Sequence, residues 1–259
     1  MVPLEERKGE PWGRGLPLLD PRTFPVERIA DLVHALPPPG VSVEVANAPG
    51  GAEAVAWLEA HGRPARLVPA PSKAAETRLW EPSPGLIQAL DRLSLHPPLG
   101  DEPPGEGELR TALDLGCGTG RDAVFLAMRG WRVTAVDRLP DALDRARSLA
   151  ELHDVTLDLR VLDAERDPLP EGSFELVTAF RYLVPLGRMA DVLAPGGLLV
   201  EETFTDRERE RTGKPRDPRL VLPAESPPPL PEGLSLLDYD VAEYGGRELA
   251  TLIARRDHP

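Results

Sequence analysis

Cysteine is almost missing from the 259 residues: Cys117 stands alone, which excludes an intrachain disulfide and a multi-cysteine metal site. No run of eighteen apolar residues occurs, so no membrane-spanning helix is expected. Residues 1–11 are charged and have no apolar stretch, so no secretory signal is expected and the cytoplasm is the expected location. Side-chain amides are reduced to Asn47 and Gln88, and lysine to three residues against 27 arginines. With 31 prolines, that bias fits a thermostable protein or equally a GC-rich genome. Positive charge is also short. Residues 1–110 contribute −5 (11 basic, 16 acidic) and residues 111–259 contribute −8 (19 basic, 27 acidic), giving −13 overall. A polyanion would be repelled at long range, so nucleic acid is not the expected partner. His34, His61, His96, His153 and His258 are scattered singly, without ligand spacing, and no metal site is expected.

What remains is 41% apolar, enough for a core, and it is patterned. Residues 16–19, 41–45 and 65–68 read as strands, 26–36 as a helix ended by Pro37-Pro38-Pro39-Gly40, and 51–60 as a second helix. Residues 1–72 are therefore expected to form a small α/β domain. Residues 73–108 read as a connecting helix (84–93) and a proline- and glycine-rich break (96–107). From 109 to 259 the pattern is regular: strands at 112–115, 131–136, 155–162, 174–179 and 198–204 alternate with helices at 120–128, 141–152 and one ending near 193. Such alternation means βαβ units and a parallel sheet. Two strand-like runs, 234–244 and 248–254, meet at Gly245-Gly246 and predict an antiparallel hairpin closing the sheet. The polar, proline-rich insertion 206–231 is expected to be a lid or disordered.

The chemistry is carried by Asp114-Leu115-Gly116-Cys117-Gly118-Thr119-Gly120, a glycine-rich turn between a strand and a helix. Glycines let backbone approach a ligand closely, and a ligand there lies outside the carboxyl ends of the strands, where the strand order reverses. Asp114 before the first glycine suits an ammonium group and would repel a pyrophosphate. Asp137 ends the next strand, 21 positions after Gly116, the distance at which an acid accepts from ribose hydroxyls. Asp163-Ala164 follows the third strand and is placed for an adenine edge. Three acids at three successive strand ends are more specific than one glycine turn. A nicotinamide fingerprint needs G-x-G-x-x-G, and Arg121 holds its last position. S-adenosylmethionine is the expected cofactor.

Residues 112–137 (ALDLGCGTGRDAVFLAMRGWRVTAVD) resemble the first motifs of class I S-adenosylmethionine-dependent methyltransferases. They look most like the tellurite-resistance-type branch, which carries GRD or GRN after the loop. Leu79-Trp80-Glu81-Pro82, Phe180-Arg181-Tyr182-Leu183, Glu202-Thr203-Phe204 and Gly213-Lys214-Pro215-Arg216 are similar to that branch too. The resemblance implies a Rossmann-like methyltransferase sheet, in-line methyl transfer to a small acceptor, and a cofactor pocket lined by Arg121, Asp122 and Phe180. With their neighbours, the expected cofactor-binding set is Asp114, Gly116, Cys117, Gly118, Gly120, Arg121, Asp122, Asp137, Arg138, Asp163, Ala164 and Phe180. Two departures fall on the acceptor side: Val184-Pro185 replaces a His-Arg pair, and residues 223–227 (PAESP) replace a Pro-Gly-Glu-Leu helix start. Residues 1–72 resemble, more loosely, a shortened rhodanese domain whose nucleophilic cysteine is replaced by Ala46-Asn47-Ala48-Pro49; without a thiol it should be catalytically dead.

Trp80, Arg181 and Tyr182 are candidates for the acceptor side, Trp80 reading equally as a packing residue. The arginine-rich run 207–219 is interleaved with acids and reads as a self-paired lid. No catalytic residue is identified, and methyl transfer from a sulfonium needs none: alignment alone can supply about 7–11 kcal/mol. The alternative is a catalytically silent, cofactor-binding regulatory or scaffold protein.

Overall fold

The computed structural model describes residues 16–74, 78–92 and 110–257. Residues 1–15, the break at 96–107, His96 and His258 lie outside the described residues. Among the described residues no helix is long and apolar enough to cross a membrane. The chain divides into two compact units, 1–81 and 82–259.

The first unit is a three-stranded parallel sheet, ordered β1 (Leu18–Leu19), β2 (Val43–Ala46), β3 (Ala65–Val68). Helix α1 (Gly51–Ala60) crosses between β2 and β3 and buries Ala54 and Leu58. Residues 26–36 do not form the expected helix. They make two 3-10 turns, Val26–Arg28 and Val33–Ala35, which bury Ile29, Leu32, Ala35 and Leu36. The segment is confined between Pro25 and Pro37, and Leu36, preceding proline, is extended at φ −87 and ψ 159. Buried Asp20 accepts from Arg22 Nε and Nη2 at 2.9 and 2.6 Å, and Arg22 Nη2 also reaches the Pro71 carbonyl at 3.0 Å. That arginine ties the start of the unit to its end.

The second unit opens with α2 (Pro84–Arg92) and carries seven strands: β4 (Thr111–Leu115), β5 (Arg132–Asp137), β6 (Asp158–Val161), β7 (Phe174–Phe180), β8 (Leu193–Phe204), β9 (Leu234–Tyr244) and β10 (Arg247–Arg256). They lie in the order β6-β5-β4-β7-β8-β10-β9. The first five are parallel, and β10 runs antiparallel to both β8 and β9. Crossovers are made by α3 (Arg121–Ala127), α4 (Pro140–Leu152) and α5 (Leu186–Val192). Pro140 starts α4 where a missing N–H costs nothing, and the helix buries Leu143, Ala146, Leu149 and Ala150. Gly245 and Gly246 both take positive φ, +57 and +75, as a two-residue hairpin turn matched to sheet twist demands. The core around Leu113, Leu115, Val177, Ala179, Leu199 and Leu252 fills one face of the sheet. The chain runs outward from β4 through β5 to β6, then returns to β4's other side with β7. The carboxyl ends of β4, β5 and β7 therefore border the reversal point.

The insertion is an anchored strap. Helix α6 (Asp206–Thr212) begins at Thr205, whose Oγ1 accepts the Glu208 N–H at 2.9 Å and donates to Glu248 Oε1 at 2.6 Å. Glu208, 1% exposed, accepts from Arg211 Nη2 at 2.6 Å and from Arg247 Nε. Downstream, the Asp206 N–H meets the Leu222 carbonyl at 3.0 Å, and the Tyr239 hydroxyl donates to Pro223 O. Arg207 and Arg219 pair with Glu248 and Asp217 at 3.1 and 2.7 Å. The polar residues that suggested disorder are mutual partners.

Candidate functional site

The three glycines of the 114–120 turn all have positive φ, yet each meets a different surface. A Cβ on Gly116 would lie 2.5 Å from Tyr182 Cδ1, so the tyrosine ring rests on that backbone. A Cβ on Gly120 would lie 2.7 Å from the Ala146 Cβ, so this glycine lets α4 approach the loop. Beside Gly118 a Cβ would meet nothing within 4 Å. Only there does the backbone face open space.

Asp114 is 2% exposed. Its Oδ1 accepts the Thr178 hydroxyl at 2.9 Å across the β4–β7 pair, while Oδ2 is buried without a hydrogen-bond partner. Burial, and then the Asp122 charge, push this carboxyl up to about 8. Asp137, at the end of β5, folds back on the loop: Oδ2 accepts the Gly118 N–H and Oδ1 the Leu139 N–H, both at 2.9 Å. Each oxygen keeps a lone pair. Asp163 follows β6, its Oδ1 accepting the Glu165 N–H at 3.0 Å, and Ala164 beside it is buried. Arg138 is exposed next to Asp137.

Cys117 belongs to the loop through its N–H, bonded to the Val136 carbonyl at 2.9 Å. Burial pushes its thiol up, and Asp114 and Asp137 push the same way, so it is no thiolate nucleophile. Arg121 and Asp122 open α3. Both Asp122 oxygens are engaged by Ser83, from its N–H at 2.6 Å and its Oγ at 2.9 Å, just before α2. Burial raises that carboxyl to about 6. Asp122 thus joins α3 to the start of α2, a role its position after the glycine turn did not disclose.

Phe180 closes β7, 8% exposed, and the next two residues diverge. Arg181 sits at φ +59, a region an arginine rarely occupies, and its guanidinium pairs with the fully buried Glu202. Tyr182 turns the other way onto Gly116, and its hydroxyl is pushed up to about 12 by burial and by the Glu165 and Asp163 carboxylates. Trp80 belongs to the first unit and is buried, with the Arg78 guanidinium 5.6 Å from its ring centroid. Glu201, Thr178 and Ser83 escaped the sequence reading, and Glu202 entered it only within the Glu202-Thr203-Phe204 resemblance; the adjacent pair of acids after an apolar run was the signal available.

Residues 112–197 match the family described as "Methyltransferase domain". A demethylmenaquinone methyltransferase of Thermus thermophilus is 40% identical over 101 residues, covering 36% of this chain and 46% of that protein. A malonyl-[acyl-carrier protein] O-methyltransferase of Serratia marcescens is 32% identical over 124 residues, covering 44% of this chain and 45% of that protein. The chain thus spans under half the length of either relative. A solved structure concerned with conversion of a disulfide bond into a thioacetal group during echinomycin biosynthesis shares the fold. Its TM-score is 0.51 at 22% identity, over 68% of this chain and 82% of that one. The matched stretch, 112–197, contains the glycine turn and the acids at 114, 137 and 163.

Proposed function

We propose that the protein is an S-adenosylmethionine-dependent methyltransferase acting on a small-molecule acceptor. One observation carries the reading: Asp114, Asp137 and Asp163 lie at or just past the carboxyl ends of three successive parallel strands, and Asp137 bonds Gly118, the glycine of the turn that faces open space. The residues fit the cofactor. Backbone at Gly118 leaves room for a ligand in contact with the main chain. The Asp114 Oδ2, buried without a hydrogen-bond partner, is matched to an ammonium group that would draw the carboxyl into its charged form.

When bound, the cofactor would supply a methyl group from its sulfonium: the acceptor nucleophile would bond to the methyl carbon in line as the carbon–sulfur bond breaks, and S-adenosylhomocysteine would leave as the neutral thioether. Asp137 takes the ribose hydroxyls and stiffens the loop through Gly118. Asp163 and Ala164 border the adenine edge; Gly116, Cys117 and Gly120 shape the turn; Arg121, Asp122, Arg138 and Phe180 bound the pocket. Arg181 and Tyr182, just past β7, line the acceptor side. The demethylmenaquinone methyltransferase relative supports a small organic acceptor. The finer affiliation with the tellurite-resistance-type branch rests on the GRD triplet and the GKPR run. The first unit is read as a rhodanese-like domain with Ala46-Asn47-Ala48-Pro49 where the nucleophilic cysteine would stand, a reading supported by its parallel strands and the loop into α1.

Calorimetry with S-adenosylhomocysteine tests the reading. Asp137→Asn should weaken binding by roughly tenfold, the scale of one lost charged hydrogen bond, and Gly118→Val should weaken it by filling the space beside the turn. Formation of S-adenosylhomocysteine from S-adenosylmethionine across a panel of thiols, hydroxyls and oxyanions then reports turnover. Affinity unchanged in both variants, or tighter binding of a nicotinamide dinucleotide, overturns the assignment.

A further inference from the structure

Strand β8 runs Leu198-Leu199-Val200 into Glu201-Glu202, and both acids are buried, 3% and 0% exposed. Two adjacent carboxylates in a central strand are costly unless each is fully engaged. They point to opposite faces of the sheet. Glu202 Oε2 accepts the Gly85 N–H at 2.7 Å and the Thr251 hydroxyl at 3.2 Å, while its Oε1 pairs with Arg181. On the other face, Glu201 Oε1 accepts the Val184 N–H at 3.3 Å. Burial pushes the Glu201 carboxyl up to about 8.

Both acids therefore grip one short segment. Phe180 pairs with Glu202 in register, the Arg181 N–H extends that ladder to the Glu202 carbonyl at 2.7 Å, and Arg181 then turns into its positive-φ conformation. Its guanidinium lies 5.5 Å from the Phe204 ring centroid. Between the two held residues, Arg181 and Val184, stands Tyr182 with its ring on Gly116.

We infer that Glu201 and Glu202 are positioning residues that clamp segment 181–184 from both faces of β8 and so seat Tyr182 on the cofactor loop. The clamp rests on the methyltransferase reading for its purpose, though its mechanics do not need a ligand. Glu202 acts through Arg181 and Glu201 through the Val184 amide, and the crevice wall at Gly116 is set by both.

A double-mutant cycle on the full chain tests this. Glu202→Ala and Tyr182→Ala should each weaken S-adenosylhomocysteine roughly tenfold, and the double variant should be no weaker than the weaker single one, because the two act through the same contact. Glu201→Ala enters the same cycle if Glu202→Ala does not fold. Additive losses, or wild-type affinity in a folded acid variant, overturn the clamp. Hydrogen exchange provides a ligand-free arm. Amides 114–120 should exchange faster in either acid variant while β5 and β10 keep their protection; uniform acceleration, or none, overturns it. A wild-type chain that binds no S-adenosylhomocysteine, with the local acceleration still seen in the acid variants, would refute the cofactor reading and leave the clamp standing.

Discussion

A methyl group added at Gly116 overlaps the Tyr182 ring, whereas one added at Gly118 meets only open space. Both backbones are left-handed, where a side chain costs about 1–2 kcal/mol. Gly116→Ala should therefore lower the melting temperature more than Gly118→Ala, the difference measuring displacement of the ring. Asp114 makes a different prediction. Below pH 8 burial keeps it protonated, yet an ammonium ligand prefers the carboxylate. S-adenosylhomocysteine affinity should climb as pH rises from 6 toward 8, with proton release on binding measurable in buffers of different ionisation enthalpy. Asp114→Asn should bind weakly at every pH and lose that part of the slope.

At the scale of elements, α6 and the strap after it depend on a few side chains. Thr205 both caps the helix and bonds Glu248, so Thr205→Ala should cost about 0.5–2 kcal/mol, as N-cap losses do. The damage should stay local: faster hydrogen exchange and easier proteolysis over 206–222, with β4 and β7 unchanged. Glu208→Ala should be worse, because it removes the buried carboxylate on which Arg211, Arg247 and the Glu248 N–H converge. Equal, global loss of protection in both variants would contradict the strap as a separable element. Its sequence, alternating arginine with acid, signalled pairing but not that one glutamate would be buried as the hub.

For the whole molecule, stability should fall as the solution becomes more alkaline. Asp114, Asp122 and Glu201 carry carboxyls raised to about 8, 6 and 8, chiefly by burial. An acid raised in the folded state holds a proton that the unfolded chain has already released. Its contribution is complete below the ordinary carboxylate range and lost as pH approaches the raised value. Carboxyls held low by arginine partners, such as Asp158 beside Arg160, act in the opposite sense only under acid conditions. Thermal melts should therefore show a higher midpoint at pH 6 than at pH 8.5, and S-adenosylhomocysteine should raise the midpoint more at the higher pH. A midpoint rising through that window would contradict the burial of these acids. The surface charge of −13 adds a general bias against polyanionic partners.

The alternation of apolar strands with amphipathic helices, the Gly245-Gly246 turn and the strand-end positions of Asp114, Asp137 and Asp163 were legible in the chain itself, because each depends on periodicity or on a short stretch of backbone. The helix expected over 26–36 was not: Leu36 is held extended before Pro37, and two separate 3-10 turns bring Ile29, Leu32, Ala35 and Leu36 inward instead. Nor were the partners of the buried acids. Ser83 meets Asp122 across 39 positions and Gly85 meets Glu202 across 117, pairings that exist only because the fold brings the start of α2 to both α3 and β8. Local pattern specifies which face a residue presents; what stands opposite that face is chosen by the topology of the folded sheet. For that reason the amino-acid sequence alone determined the crevice and its acids, and the tertiary structure alone decided that Tyr182 lies on Gly116 and that two adjacent glutamates hold it there.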